Sequence, residues 1–372
     1  MKKNFPLTLI IYLIKEFLAS LFIVYLVFLS LTMLISFVEE LAFFKEKNLD
    51  NLIWTISYLS IVKTPNIIIE MSIFIFLFAG ILFFVKIQKN NEMNVLLLSG
   101  ISKSFPILTL AFISFFWGIF LIIFLSPISS GAMKFYEQSK RFYSSNDNLI
   151  FISDNGLWFM ENINNNFNII RADKISSNNF SRLNNVTIYN MDNNFNFIKR
   201  MDSKVVVIKK KNWILEKTKI LYNLDNSNLS EKKEYNTIDY LSSININDLK
   251  DYFSNSSTVS FWDILNNIKN LNERGYSADE LKVKYHKYLS LPIYLFCIIF
   301  LSTTFTILID KKYNTLIYLF FGLIVGFFLY FLNDLSITLG LANKIPLTIS
   351  IWAPVMVLLF LSVINILKIN EN

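Results

Sequence analysis

The chain has 372 residues, of which 53% are hydrophobic and 17% are charged. Soluble domains carry about 25% charged residues, so this composition excludes an ordinary soluble domain and favours a membrane protein. The formal net charge is +7, but the basic residues lie largely beside apolar runs, where they indicate membrane orientation, and we expect no nucleic-acid binding.

Six apolar segments approach or reach the length that crosses a bilayer, whose hydrocarbon core of about 30 Å needs roughly 20 helical residues. The predicted spans are Phe17–Val38, Ile67–Val85, Phe105–Ser126, Tyr288–Ile309, Thr315–Leu332 and Ile345–Ile366. The second begins close to Glu70, and the fifth runs into Asn333 and Asp334. We therefore expect both acids to lie at the membrane surface.

Eight lysines that flank the spans fall on one side of the membrane if there are six such spans. They are Lys2, Lys3, Lys86, Lys89, Lys103, Lys311, Lys312 and Lys368. The lysine-rich side of a membrane protein is the cytoplasm. Both termini are therefore predicted to be cytoplasmic.

This topology divides the chain into three parts. Residues 1–126 hold spans one to three and a polar cytoplasmic segment, 90–104; residues 127–287 form a domain outside the cytoplasm; and residues 288–372 hold spans four to six.

The outer domain alternates short apolar stretches with asparagine-rich turns, which is typical of β structure. The predicted strands are Leu157–Glu161, Phe167–Arg171, Val186–Asn190, Phe195–Lys199, Lys204–Ile208 and Trp213–Leu221. This spacing predicts a β-sandwich or jelly roll. From Asn247 to Lys287 the pattern becomes helical, with Ser260–Asp263 as one start and a polar helix from Ala278 leading into the fourth span.

No motif for catalysis or cofactor binding is present in the sequence. Gly100-Ile-Ser-Lys-Ser104 resembles part of a phosphate loop but lacks the spacing that a Walker A motif requires. The single histidine, His286, and the single cysteine, Cys297, have no neighbouring catalytic or metal-binding motif. We expect no cofactor, no metal and no hydrolysis of ATP by this chain itself.

The segment 90–104 has the periodicity of a short amphipathic helix. Its two faces are Lys89, Glu92, Leu96, Ser99 and Lys103 on one side, and Met93, Leu97, Gly100 and Ile101 on another. Periodicity alone leaves two interpretations open: a helix that rests on lipid headgroups, or one that docks a cytoplasmic partner.

Several short motifs occur in one order over essentially the whole chain. They are Ile35-Ser-Phe-Val-Glu-Glu-Leu41, Asn91-Glu92-Met-Asn-Val-Leu-Leu-Leu-Ser-Gly100-Ile-Ser, Gly156-Leu-Trp158, Tyr330-Phe-Leu-Asn-Asp-Leu-Ser336 and Lys344-Ile-Pro346, with Pro65 and Pro292 near the outer ends of spans. Together they resemble the LptF/LptG permeases, the membrane subunits of the lipopolysaccharide export ABC transporter. The first and third motifs resemble LptG more than LptF.

The resemblance implies a six-span permease of the bacterial inner membrane with a periplasmic β-jelly roll. It implies a second, LptF-like permease, a cytoplasmic LptB-like ATPase dimer, an LptC-like periplasmic bridge protein and lipopolysaccharide as partners. Lipopolysaccharide would pass from the outer leaflet of this membrane into a cavity between the permeases and on towards the outer membrane.

ATPase coupling is expected at Glu92, because an acid on a docking helix can pair with an Arg or Lys of the ATPase. Asn91, Leu96, Gly100 and Lys103 accompany it in the same segment.

Candidate lipid contacts are Ser36, Glu39, Lys45, Lys47 and Asp334. LptG proteins often carry basic residues near the end of span one, whereas this chain has Ser36, Glu39 and Glu40 there and its first lysines at Lys45 and Lys47. This departure puts direct phosphate contact from span one in doubt.

Three alternatives come from other classes of protein. The LptF-like partner shares the same architecture. A MacB-like or FtsX-like mechanotransmission protein normally has its outer domain after the first of four spans, not after the third of six. A membrane sensor would need a cytoplasmic signalling domain, for which the predicted cytoplasmic loops are too short.

Overall fold

The computed structural model describes residues 7–45, 51–142, 149–153, 156–163, 166–175, 181–192, 196–209, 212–222, 232–243, 256–273, 277–308 and 314–371. The chain divides into two compact units. The helical unit comprises residues 1–137, 257–264 and 282–372, and the β unit comprises residues 138–256 and 265–281.

Ten α-helices are present among the described residues. They are α1 Leu7–Phe44, α2 Leu52–Glu70, α3 Ser72–Lys89, α4 Glu92–Leu98, α5 Ser104–Phe120, α6 Ser126–Phe142, α7 Ile264–Glu273, α8 Asp279–Leu308, α9 Thr315–Leu341 and α10 Leu347–Glu371. A five-residue π-helical turn, Leu121–Leu125, joins α5 to α6 without a break. The helix that begins at Ser104 therefore continues well past Ser126, where the third span was predicted to end.

Seven apolar helices of the described chain are long enough to cross a membrane, one more than the sequence predicted. The additional helix is α2, in which Lys63, Pro65 and Asn66 interrupt the apolar run. The predicted second span, Ile67–Val85, straddles the boundary between α2 and α3. Only Met71 separates them, and its φ of −81° and ψ of −1° remain near the helical region.

α2 and α3 run antiparallel to α1 as one nearly continuous rod. Near the end of α1, the carboxylate of Glu39 accepts a hydrogen bond of 2.5 Å from the ammonium of Lys63 on α2. Near its beginning, Glu16 pairs with Lys86 on α3. Lys63 of α2 lies opposite the end of α1 and Lys86 of α3 opposite its beginning. This is the order expected if α2 and α3 together form one antiparallel neighbour of α1, so the break at Met71 does not reverse the direction of the chain.

Asp334 is not at the end of a helix, as the predicted span Thr315–Leu332 required. α9 continues to Leu341, so Asp334 lies inside it with an exposed side chain. Asn and Asp have low helix propensity, which made Leu332 look like an end, but one acid and one amide do not stop a helix of this length.

Small residues allow the helices to approach closely around α8, as is usual where lipid supplies no hydrophobic drive for association. A Cβ added at Gly80 on α3 would lie 2.4 Å from the hydroxyl of Ser302 on α8. One added at Gly118 on α5 would lie 2.7 Å from the backbone of Pro292, also on α8. α8, which belongs to the second half of the predicted membrane part, thus packs tightly against two helices of the first half.

Seven antiparallel strands form a single sheet in the β unit. They are β1 Leu149–Ser153, β2 Gly156–Ile163, β3 Asn166–Ile175, β4 Arg182–Met191, β5 Phe197–Lys209, β6 Asn212–Tyr222 and β7 Lys232–Leu241. Each strand pairs with the next along the chain. A jelly roll needs strands exchanged between two sheets, so the described strands form a meander rather than the predicted jelly roll.

Two of the predicted strands are parts of a single strand, β5. The stretches Phe195–Lys199 and Lys204–Ile208 fall on the continuous strand β5, except that Asn196 precedes the strand and Phe195 lies outside the described residues. β1 and β7 were not predicted at all. The core on one face of the sheet is built from Leu157, Phe159, Ile170, Leu183, Ile188, Val206, Trp213 and Leu215.

A buried carboxylate lies in the β unit. Glu161 on β2 has no exposed surface. Its oxygens accept hydrogen bonds from the hydroxyl of Tyr240 at 2.6 Å, the hydroxyl of Ser242 at 2.7 Å and the backbone N–H of Ser243 at 2.9 Å. Burial and the charge of Glu161 raise the pKa of Tyr240, so its phenol remains a donor at neutral pH. The network ties the end of β7 to β2.

Candidate functional site

The polar segment between α3 and α5 contains a helix of only seven residues, Glu92–Leu98. The prediction of a helix from 90 to 104 was too long at both ends. Asn91 and Gly100 have left-handed backbones, with φ of 58° and 80°. Asn and Gly are the residues that adopt this conformation most readily, so each ends a helix at its position.

Gly100 closes α4 with a Schellman motif. The N–H of Gly100 donates to the carbonyl of Leu97 at 2.9 Å, and the N–H of Ile101 donates to the carbonyl of Leu96 at 3.0 Å. These bonds satisfy carbonyls that a helix end leaves open. The predicted coupling residues Asn91 and Gly100 are therefore explained by backbone geometry, which fixes where α4 begins and ends.

Gly100→Ala should loosen the end of α4, because an L-residue at a φ of 80° is strained by about 1 kcal/mol. An added Cβ would meet no described atom within 4 Å, so strain is the only effect expected. We expect hydrogen exchange of the α4 amides in the detergent-solubilised chain to rise about fivefold.

Gly131→Ala is the matched control for this measurement. Gly131 lies inside α6 with equally open space around its added Cβ and is not among the residues with positive φ. Its replacement should leave exchange in α4 unchanged. Equal exchange in both variants would show that Gly100 does not hold the end of α4.

α4 exposes apolar side chains that the sequence analysis did not single out. No residue of α4 is buried, and Leu98 and Val95 are 89% and 61% exposed. Glu92, Met93 and Leu96 are half-buried on the side facing the helical unit. The run Val-Leu-Leu-Leu after Asn94 was the available signal, since four consecutive apolar residues on a short helix cannot all face inwards.

Glu92 is held by two donors within the helical unit. The hydroxyl of Tyr12 on α1 donates to one carboxylate oxygen at 2.8 Å, and the side-chain amide of Asn90 donates to the other at 3.0 Å. A carboxylate can accept about four hydrogen bonds. Glu92 therefore links α4 to α1 and retains acceptor capacity for a partner.

A cavity of about 330 Å³ lies beside α4 within the helical unit. Leu97 of α4 and Lys103, which precedes α5, both line it, as do residues of α3, α8 and α10. The predicted coupling residues therefore separate: Glu92 contacts α1, whereas Lys103 borders this cavity.

The predicted lipid contacts do not form one site among the described residues. Ser36 is fully buried and Glu39 pairs with Lys63. Lys45 is exposed at the end of α1, Asp334 is exposed on α9, and Lys47 lies outside the described residues.

Lys63 is the basic residue beside span one that the sequence analysis missed. It lies on α2, the helix that was not predicted, and its ammonium is 5.8 Å from the centre of the Tyr136 ring. Tyr136 in turn donates a hydrogen bond of 2.5 Å to the buried carboxylate of Glu40. The acids near the end of α1 thus have partners on α2 and α6.

Comparison with known protein families identifies the family of this chain. The sequence profile described as lipopolysaccharide export system permease LptF/LptG matches residues 11–368, nearly the whole chain. The chain belongs to the LptF/LptG family. A search of curated protein sequences finds no match.

Family membership confirms the resemblance to LptF/LptG permeases. The chain is a multi-pass membrane protein of the family that serves as the permease of the lipopolysaccharide export transporter. In this chain α4 is the short helix between two long apolar helices, α3 and α5. This position makes α4 the candidate functional site of an LptF/LptG permease.

Proposed function

We propose that this chain is the LptG-like permease of an inner-membrane lipopolysaccharide exporter. It pairs with an LptF-like permease, an LptB-like ATPase dimer and an LptC-like bridge protein. It hydrolyses no ATP itself. The match of Gly156-Leu-Trp158 and of Ile35–Leu41 to LptG favours this member over LptF.

The proposal that the ATPase drives conformational change in this chain rests on α4. Leu98 and Val95 give it an exposed apolar surface, and Glu92 at its first turn supplies a negative charge. An amphipathic helix with apolar anchors and one charge suits a groove on a protein partner. A helix that rested on lipid headgroups would gain little from an acid.

Short connections transmit the motion of α4 to the membrane part. Only Asn90 and Asn91 separate it from α3, and Ser99–Lys103 separate it from α5. Backbone hydrogen bonds within these turns restrict their flexibility. Closure of an ATPase bound to α4 would therefore displace α3 and α5 together and narrow a lipid cavity between the two permeases.

Six crossings are compatible with seven apolar helices. α1 has 38 residues, which is about 57 Å of helix against a hydrocarbon core of about 30 Å. α2 runs beside the last part of α1 as a continuation of α3. We assign α2 and α3 to one long crossing whose outer part extends beyond the bilayer with α1.

Reporter fusions test the orientation. Fusions after Lys89, Lys312 and Asn372 should report the cytoplasm, and a fusion near residue 194 the periplasm, because basic loops remain inside. A fusion between residues 46 and 50 should also report the periplasm. A cytoplasmic signal at residue 194 would contradict the transporter assignment.

Copurification tests the partners and the cargo. A tagged chain, solubilised gently and analysed by mass spectrometry, should carry a second permease of the same family, an ATPase with a phosphate loop, and lipopolysaccharide. Recovery of the chain with no ATPase, under conditions that preserve the permease pair, would overturn the proposed function.

A further inference from the structure

The cavity beside α4 has a composition that differs from the apolar packing around it. Two lysines, Lys103 and Lys368, line it together with the amide side chains of Gln88 and Asn94. None of its described lining residues is acidic. Such a set of side chains favours a ligand that carries negative charge.

Apart from Asn365, threonines of α8 and apolar side chains form the rest of the wall. Phe84 on α3 and Ile107 on α5 are buried at the cavity, and Leu97 of α4 is partly exposed beside it. On α10, the buried side chain of Ile369 also lines the cavity. A ligand with a charged head and an apolar tail therefore finds a partner for each part.

Five segments of the chain meet at this cavity. They include α3, α4 and α5 from the first half of the helical unit, and α8 and α10 from the second. Asn365 connects the last two, because its amide donates to the carbonyl of Phe300 and the hydroxyl of Thr304, both at 2.7 Å. A bound molecule would therefore contact α4 and both halves of the unit at once.

We infer that this cavity binds the headgroup of an anionic glycerophospholipid from the cytoplasmic leaflet. A volume of about 330 Å³ is at the lower end of the range for small-molecule sites, which suits one headgroup rather than a whole lipid. Lys103 and Lys368 contact the phosphate, and the acyl chains begin against the apolar side chains that α3, α4 and α5 contribute to the cavity.

This site goes beyond the proposed coupling of α4 to an ATPase, and only its assignment to the cytoplasmic leaflet rests on the proposed orientation. The lipid would stabilise the position of α4 against α8 and α10. The amount of anionic lipid in the membrane would then affect how stably α4 is held in place.

Native mass spectrometry of the purified permease complex, including its ATPase, provides the test. The probes are phosphatidylglycerol and zwitterionic phosphatidylcholine with matched acyl chains. We expect at least one phosphatidylglycerol to bind in preference to phosphatidylcholine. The double variant Lys103→Gln/Lys368→Gln should weaken this binding by more than tenfold, since each lysine contributes about fivefold near an anionic lipid.

Lys15→Gln is the matched control, because Lys15 is exposed on α1 and does not line the cavity. It should leave phosphatidylglycerol binding unchanged. As a second measurement, a photoactivatable phosphatidylglycerol should label peptides that contain Lys103 or Lys368.

Two results would overturn the inference. Equal binding of phosphatidylglycerol by all variants, with labelling spread over the helices, would show only non-specific surface lipid. Binding to the permease pair that disappears when the ATPase is added would assign the cavity to a protein contact. Recruitment of the ATPase is decided separately by the copurification, which does not depend on lipid binding.

Discussion

Glu161→Ala should remove most of the stability of the β unit. The variant leaves the hydroxyls of Tyr240 and Ser242 and the N–H of Ser243 without their buried acceptor. Each hydrogen bond lost to a charged group destabilises a fold by about 1.5–3 kcal/mol, whereas a whole domain has only about 5–15 kcal/mol of stability. We expect a loss of several kcal/mol and rapid proteolysis within residues 149–243.

Two controls separate the buried network from a general effect of losing a carboxylate. Tyr240→Phe removes one donor while the acceptor keeps the others, so it should cost about 1.5–3 kcal/mol. Glu234→Ala removes an exposed acid that pairs with Lys219 at 3.1 Å and should change stability by about 0–1 kcal/mol.

Pulse proteolysis of the full chain in detergent, across a urea series, measures these differences. The expected order of resistance is wild type and Glu234→Ala, then Tyr240→Phe, then Glu161→Ala. If Glu161→Ala were as resistant as Glu234→Ala, the network would not hold the sheet together.

The sequence predicted the spans that have an uninterrupted apolar run and missed α2, whose apolar run is interrupted. Lys63, Pro65 and Asn66 lower the hydropathy of α2, although Lys63 is matched by Glu39 on α1. A charge whose partner lies on another helix cannot be recognised as compensated before the packing is known.

Polar residues within strands had the same effect in the β unit. Arg200, Asp202 and Ser203 divide the apolar pattern of β5, which is why one strand was predicted as two. In the structure Arg200 pairs with Asp202 at 2.9 Å and the buried hydroxyl of Ser203 bonds to the carbonyl of Glu216. The bond from Ser203 joins β5 to β6, and strand order depends on such pairing between strands, so a meander was not derivable from spacing.

The ends of α4 could have been predicted from local backbone chemistry, although the predicted helix ran from 90 to 104. Asn91 and Gly100 mark the ends of α4 because few residues adopt a left-handed backbone, and Glu92 follows directly from the motif. The cavity was not predictable, since its lining comes from segments as distant in sequence as Phe84 and Lys368. The hydrogen bond between Tyr12 and Glu92 could not be predicted for the same reason, since the two residues are far apart in sequence.

Glu92→Lys should abolish recruitment of the ATPase, or uncouple hydrolysis from lipid release, while membrane insertion and pairing of the permeases persist. Truncating one partner of a buried charge pair costs about 2–5 kcal/mol, which corresponds to roughly 30-fold to several-thousand-fold in affinity. Reversal adds repulsion against a basic partner, so Glu92→Ala should be the milder variant. The measurements are copurification of the ATPase and lipid release from proteoliposomes.

Tyr12→Phe separates the two roles that the structure allows for Glu92. The hydroxyl of Tyr12 donates to Glu92 at 2.8 Å, so removing it breaks the link to α1 and leaves the negative charge in place. If Glu92 acts on the ATPase directly, Tyr12→Phe should keep most of the recruitment that Glu92→Ala loses. If Glu92 serves only to hold α4 against α1, the two variants should have equal effects.

The apolar anchors complete this test, because a docking surface needs contact area as well as charge. Leu98→Ser removes the side chain that is 89% exposed and makes no buried contact that the fold requires, so it should leave stability unchanged. A docked helix should nevertheless lose affinity for the ATPase, since burying a leucine contributes about 1.5–3 kcal/mol. Normal recruitment in both Glu92→Lys and Leu98→Ser would contradict docking through α4 and leave it as a helix that rests on the membrane surface.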